Sequence, residues 1–213
     1  MKFHLFLVKV YLNRAKVLFI NPLGSTCYHT EQNILKLGDS LNEKINFNFV
    51  PLMNFKTIND VMCRMNIPLN NVDIRNRLSE NIYHSSIDFK AASFQGKKKG
   101  RNFLLNVQQL VVNDQKDYNF ETIKLAAQKS GLDWDIFEQD RHSKLAIEAF
   151  KQDQELATEM NVTEHPTIVV YDCSANNNSA YSFSGCESLD EIKKVLLSQR
   201  QQNSSGTSIM KLC

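Results

Sequence analysis

The sequence has no C-x-x-C or C-x-x-H pair: its five cysteines, Cys27, Cys63, Cys173, Cys186 and Cys213, are odd in number and scattered. That excludes a zinc site built on paired ligands and the even-numbered disulfide framework of a small secreted domain. Large net charge is missing too. A formal charge of +2 gives the molecule as a whole no nucleic-acid-like footprint, and the local run KKKGR, Lys97 to Arg101, reads as a solvated helix face that could meet an acidic partner surface. No apolar run approaches the roughly 20 residues that span a bilayer, so no membrane partner is expected. The opening Met1 to Leu12 is apolar but broken by His4 and Lys9, and no small-residue cleavage site follows. A signal peptide is therefore not expected, and the address that follows is cytoplasmic, with reduced thiols.

What is present suffices for a substantial core: 213 residues, 42% apolar and 23% charged. AKVLFIN, from Ala15 to Asn21, reads as a buried strand stopped by Pro22. A helix follows, with Ser25 and Thr26 as cap hydroxyls, Glu31 as an acid suited to the dipole of the early turns, and Ile34, Leu35 and Leu37 as the inward stripe, ending near Gly38. Ile45 to Val50 is the next strand, with Phe47 and Phe49 alternating against asparagines and Pro51 closing it, which completes a βαβ unit. From about Thr57 to Met160 the apolar spacing is helical, as in Phe103, Leu104, Val107, Leu110 and Val111. Asn66 to Asn76, with Pro68, is the least ordered-looking part. Trp134, Phe137 and Leu132 read as lobe core, and Glu138, Asp140, Arg141 and His142 as a polar cluster without metal-ligand spacing. Strands resume at Thr167 to Tyr171 and Tyr181 to Ser184, a pairing that sets Cys173 opposite a residue near Ala180. Ser188 caps a last helix carrying Leu189, Ile192, Val195 and Leu196.

These elements predict an α/β fold with a helical insertion lobe between the second and third core strands. The expected organisation is an N-terminal extension over 1–14, a discontinuous core over 15–56 and 161–200, a helical insert over 57–160 and a flexible tail over 201–213.

The segment VTEHPTIVV, Val162 to Val170, resembles the cis-proline loop of DsbA-like proteins of the thioredoxin superfamily, and Ala149-Phe150 with Leu156-Ala157 match the helical lead into it. FINPLGSTC, Phe19 to Cys27, together with FKAASFQGKKKGRNF, Phe89 to Phe103, resembles the YjbH/SpxH family of Gram-positive bacteria, which delivers the transcription factor Spx to the ClpXP protease. The resemblance implies a DsbA-like thioredoxin fold, Spx as client, a ClpXP-linked role without metal or organic cofactor, and a site where three loops converge. Its binding residues would be Gly24, Ser25, Thr26, Cys27, His165, Pro166, Thr167 and Gly185, with a cis bond at Pro166 and peptide contact as the role of His165.

The resemblance is incomplete where a dithiol oxidoreductase does its chemistry. Gly24 stands at the position of the attacking cysteine, and Cys27 at the resolving one. A resolving thiol with nothing to resolve cannot run the exchange cycle. A binding protein is therefore expected before an enzyme. The rival readings are a DsbA-like thiol oxidoreductase or isomerase using Cys27, alone or with Cys186, and a kappa-class glutathione transferase, for which Ser25 falls one residue late. Cys27 also reads simply as a buried structural thiol.

Overall fold

The computed structural model describes residues 16–40, 47–172 and 179–184. The expected N-terminal extension, Gly185, Cys173, Cys186, Cys213, the last helix from Ser188 and the tail lie outside the described residues.

The elements run β1 (Lys16–Ile20), α1 (Ser25–Ser40), β2 (Phe47–Pro51), α2 (Phe55–Arg64), α3 (Val72–Phe94), α4 (Lys97–Gln108), a π-helical turn (Gln109–Asn113), α5 (Phe120–Lys129), α6 (Trp134–Arg141), α7 (Lys144–Glu159), β3 (Thr167–Asp172) and β4 (Ser179–Ser184). The sheet order is β2-β1-β3-β4. β1 is parallel to β2, and antiparallel pairs join β1 to β3 and β3 to β4. All the described helices from α2 to α7 fall between β2 and β3, as the fold class expected.

The period-two alternation of β1 explains the layering. Leu18 and Ile20 turn to one face of the sheet, where they pack with Cys27 and Ile34 of α1 and with Phe89 and Leu104 of the lobe. Val17 and Phe19 turn to the other, against Val50, Ala157 and Val162. The lobe has its own apolar centre, where Phe103, Val107, Ala126 and Phe137 meet and Trp134 packs on Phe137. Inside it, Arg141 grips buried Asp88 through two nitrogens at 2.8 and 2.9 Å, and Tyr118 donates to the same carboxylate. Arg141, read from the sequence as part of a polar cluster, is thus a half-buried tie between α3 and α6.

Pro51 ends β2, opposite Ile20; β2 is an edge strand among the described residues, where a missing N–H costs no ladder bond. In the hairpin Tyr171 pairs with Ala180 and Asp172 with Ser179, and the pairing expected for Cys173 lies outside the described residues. Two other expectations are corrected. The Asn-rich stretch to Asn76 is helical from Val72, because the Asn71 side chain accepts the Ile74 N–H at 3.1 Å and so caps α3. Glu31 faces the core, not the solvent at a helix end: it is fully buried, and its Oε1 accepts from Gln108 Nε2 at 2.8 Å. The basic run opens α4, with Lys97 and Lys98 exposed; Gly100 is buried against Ser93, where an added Cβ would meet Ser93 Oγ at 2.3 Å. Among the described residues no helix is long and apolar enough to cross a membrane.

Candidate functional site

Three chain segments meet at the end of β1. The first is the turn from Asn21 to Cys27. Gly24 N–H donates to Asn21 O at 3.0 Å, and Leu23 N–H to Asn21 Oδ1 at 2.9 Å, so Asn21 closes the turn that launches α1. Gly24 directly precedes the helix, Ser25 is exposed, Thr26 is half-buried and Cys27 has no exposed surface. Asn21 N–H donates to Cys27 Sγ at 3.2 Å.

The second segment is the loop before β3. His165–Pro166 is a cis peptide bond, as the resemblance implied. His165 is 8% exposed and its Nδ1 stands 3.6 Å from Cys27 Sγ. Burial first, and the Arg64 guanidinium second, pull the imidazole down to about 4. At neutral pH the ring is therefore neutral, and it sets no positive charge beside the sulfur of the kind that activates cysteines. Its Nε2 is buried without a hydrogen-bond partner. Thr167 Oγ1 donates to Glu164 O at 2.7 Å and lies 3.5 Å from Ser184 Oγ at the end of β4, the third segment. Of the predicted binding residues, the structure thus gathers Gly24, Ser25, Thr26, Cys27, His165, Pro166 and Thr167 at one end of the sheet; Gly185 and Cys186 lie outside the described residues.

The wall that faces them is α2, which no expected site residue had marked. Arg64 donates to Thr26 Oγ1 at 3.1 Å, reaching the start of α1. Lys56 pairs with Glu164 at 2.6 Å, and that contact holds the Glu164 carboxyl below the usual carboxylate range. Between these tethers lies an open hollow of about 410 Å³ lined by Asp60, Cys63, Arg64, Glu164, His165 and Ser184. The missed signal was N-x-x-T: Asn54 and Thr57 form a reciprocal capping box that starts α2, at 2.8 and 2.9 Å. Asn54 Nδ2 also donates to Thr163 O at 2.9 Å and so pins the cis-proline loop. Asn54→Ala is expected to lower stability by about 1–2 kcal/mol in urea unfolding. Asn54→Asp, which keeps the cap oxygen, should recover most of that loss; equal losses in the two variants would show that the cap is not what matters.

The helix α1 is fastened to the lobe as well. Tyr28 donates to Gln109 Oε1 at 2.7 Å and accepts from Asn113 at 3.3 Å, so both ends of the π-helical turn bear on the residue after Cys27.

Comparison with known proteins agrees with this geometry. A thioredoxin family profile matches residues 17–194. Among curated proteins, the ClpXP adapter protein SpxH of Bacillus subtilis is 31% identical over 115 residues, 54% of this chain and 38% of that protein. The SpxH protein of Bacillus licheniformis is 25% identical over 194 residues, 84% of this chain and 64% of that protein. The chain thus spans less than two thirds of the length of these relatives. Among solved structures, the cytosolic disulfide reductase DsbM of Pseudomonas aeruginosa superposes with a TM-score of 0.59 at 12% identity, covering 88% of this chain and 98% of that one. A 2-hydroxychromene-2-carboxylate isomerase superposes at 0.62 with 14% identity, covering 90% and 98%. Profile, fold and cis-proline site coincide over the same residues: the chain belongs to the thioredoxin family, with SpxH proteins among its sequence relatives.

Proposed function

We propose that this chain is a cytoplasmic adaptor that binds the transcription factor Spx and promotes its degradation by ClpXP, holding its client without covalent chemistry. The observation that carries the reading is the state of the dithiol position: Gly24 offers no nucleophile, and Cys27, with no exposed surface, is kept between Asn21 N–H and a neutral His165. What remains is the binding apparatus of the fold. An extended client segment can lie along the loop at Pro166, with backbone pairing beside it. α2 adds apolar surface next to the hollow, where Phe55 is 64% and Met65 56% exposed. The similarity to proteins named ClpXP adapter protein SpxH supports this choice of client and protease.

Reconstituted ClpXP with purified Spx tests this directly. Adding the chain is expected to speed Spx loss and to give a stable Spx complex in pull-down; neither effect at micromolar chain would sink the adaptor reading. The second reading is a thiol oxidoreductase working through Cys27, favoured by the N–H donated to its sulfur. Insulin reduction that disappears in Cys27→Ser would support it over the adaptor. A kappa-class glutathione transferase would instead announce itself by tight glutathione binding.

A further inference from the structure

Cys63 is exposed and sits in the wall of the hollow beside His165. Its neighbours on α2 define what the hollow can hold. Asp60, Cys63 and Arg64 stand at i, i+3 and i+4, so all three project from one face of the helix into the same space. Among the described residues, Asp60 and Arg64 each lack an ion-pair partner, although Glu164 across the hollow is already paired with Lys56. Arg64 does not fold back on the Asp60 carboxylate. It donates instead to Thr26 Oγ1 at 3.1 Å and to the Asp60 carbonyl at 3.2 Å, leaving further guanidinium N–H groups uncommitted. The far wall is His165, nine-tenths buried, with Nε2 lacking a partner. The Asp60 carboxylate, the Arg64 guanidinium and the Cys63 thiol therefore share a concave, solvent-open site in which neither charge is held in an ion pair, the Lys56 ammonium acting on Asp60 only from a distance while it pairs with Glu164.

We infer that Cys63 is a thiolation site for a small zwitterionic aminothiol, with Arg64 receiving the carboxylate and Asp60 the ammonium of the attached group. The co-reactant is the disulfide of such a thiol, cystine being the simplest. The Cys63 thiolate attacks one sulfur of cystine, the S–S bond of cystine breaks, and one cysteine leaves as thiolate and takes a proton from water. The product is a Cys63–cysteine mixed disulfide. One disulfide is exchanged for another, so no further oxidant enters. The inference stands apart from the adaptor reading, since it needs only the hollow and its charges.

The test compares two probes on the intact chain, cystine and the uncharged 2-hydroxyethyl disulfide. Adduct formation is followed by intact mass and mapped by proteolysis, in wild type, Asp60→Asn, Arg64→Ala and Cys63→Ser. Arg64 is exposed and Asp60 half-buried, and neither is held in an ion pair, so their variants are expected to fold, and circular dichroism checks this. At Cys63 the wild-type rate ratio of cystine to the neutral disulfide is expected to fall about fivefold in each charge variant, the scale of one lost exposed ionic contact. The Cys63→Ser chain should lose the favoured adduct. An unchanged ratio in both charge variants, or a cystine adduct formed at another cysteine ahead of Cys63, overturns the inference.

Discussion

Gly24→Cys is expected to turn the chain into a disulfide reductase, with insulin reduction on the order of a hundredfold above the parent and a disulfide between the introduced thiol and Cys27. Residue 24 directly precedes the first turn of α1, where N–H groups and the helix dipole favour a thiolate, and the substitution restores C-x-x-C spacing. The space is tight but usable: a Cβ there meets Asn21 Cβ at 3.1 Å and Asn21 O at 3.3 Å, a misfit of a few tenths of an ångström. Burial of Cys27 is no obstacle, because a resolving sulfur needs to reach only its neighbour in the motif, not the solvent. Insulin turbidity and thiol counting after oxidation read the two outcomes. A folded variant with neither activity nor the internal disulfide would mean that the α1 turn, beyond the missing sulfur, has departed from a redox geometry, and the account of Gly24 given above would fail.

Glu31→Gln is expected to raise stability at pH 7 by on the order of 3 kcal/mol and to flatten its dependence on pH between about 4.5 and 8. Burial raises the Glu31 carboxyl from 4.5 to about 8, opposed by the hydrogen bond from Gln108. A carboxyl whose folded value lies above its unfolded one binds its proton more tightly in the native state. Stability is therefore greatest below 4.5 on its account, and falls as pH rises, by about 1.4 kcal/mol per unit, until the native group itself ionises near 8. Glutamine keeps the shape and removes the charge. The pattern of orphaned atoms agrees with a proton there: Glu31 Oε2 and Gln108 Oε1 are both buried acceptors without partners, and a protonated acid supplies the one donor they lack. Urea unfolding at pH 5, 7 and 8 is the measurement. Glu31→Ala should cost about 2–4 kcal/mol at pH 5, by opening a cavity and stranding Gln108. His165 works in the opposite direction: with a native value near 4 against 6.5 unfolded, it withdraws stability as pH falls through that window. A Glu31→Gln chain no more stable than wild type at pH 8 would contradict the protonated acid.

How the site could be read in advance depended on whether its residues are near each other in the chain. The turn from Asn21 to Cys27 and the loop at Pro166 each carry a local signal, a strand stopped before a capped helix and a proline inside a helix-to-strand passage. Both are where the pattern put them. The hollow was not legible, because Asp60, Cys63 and Arg64 become a site only when Lys56–Glu164 and Arg64–Thr26 pull α2 across 38 to 108 residues of chain onto the other two segments. Glu31 misled for a related reason: an acid early in a helix reads as dipole compensation unless one knows that Gln108, 77 residues on, covers it.

By itself the sequence determined most of the strands and helices and the glycine at residue 24, since strand alternation, helical spacing and residue identity are properties of the chain taken locally. That residue 24 carries no thiol needed no coordinates. Tertiary structure alone decided which of the described thiols meets solvent and which charges beside it lie outside an ion pair. Those depend on burial and on contacts between segments far apart in sequence, and desolvation acts on a side chain only after the fold has chosen its surroundings.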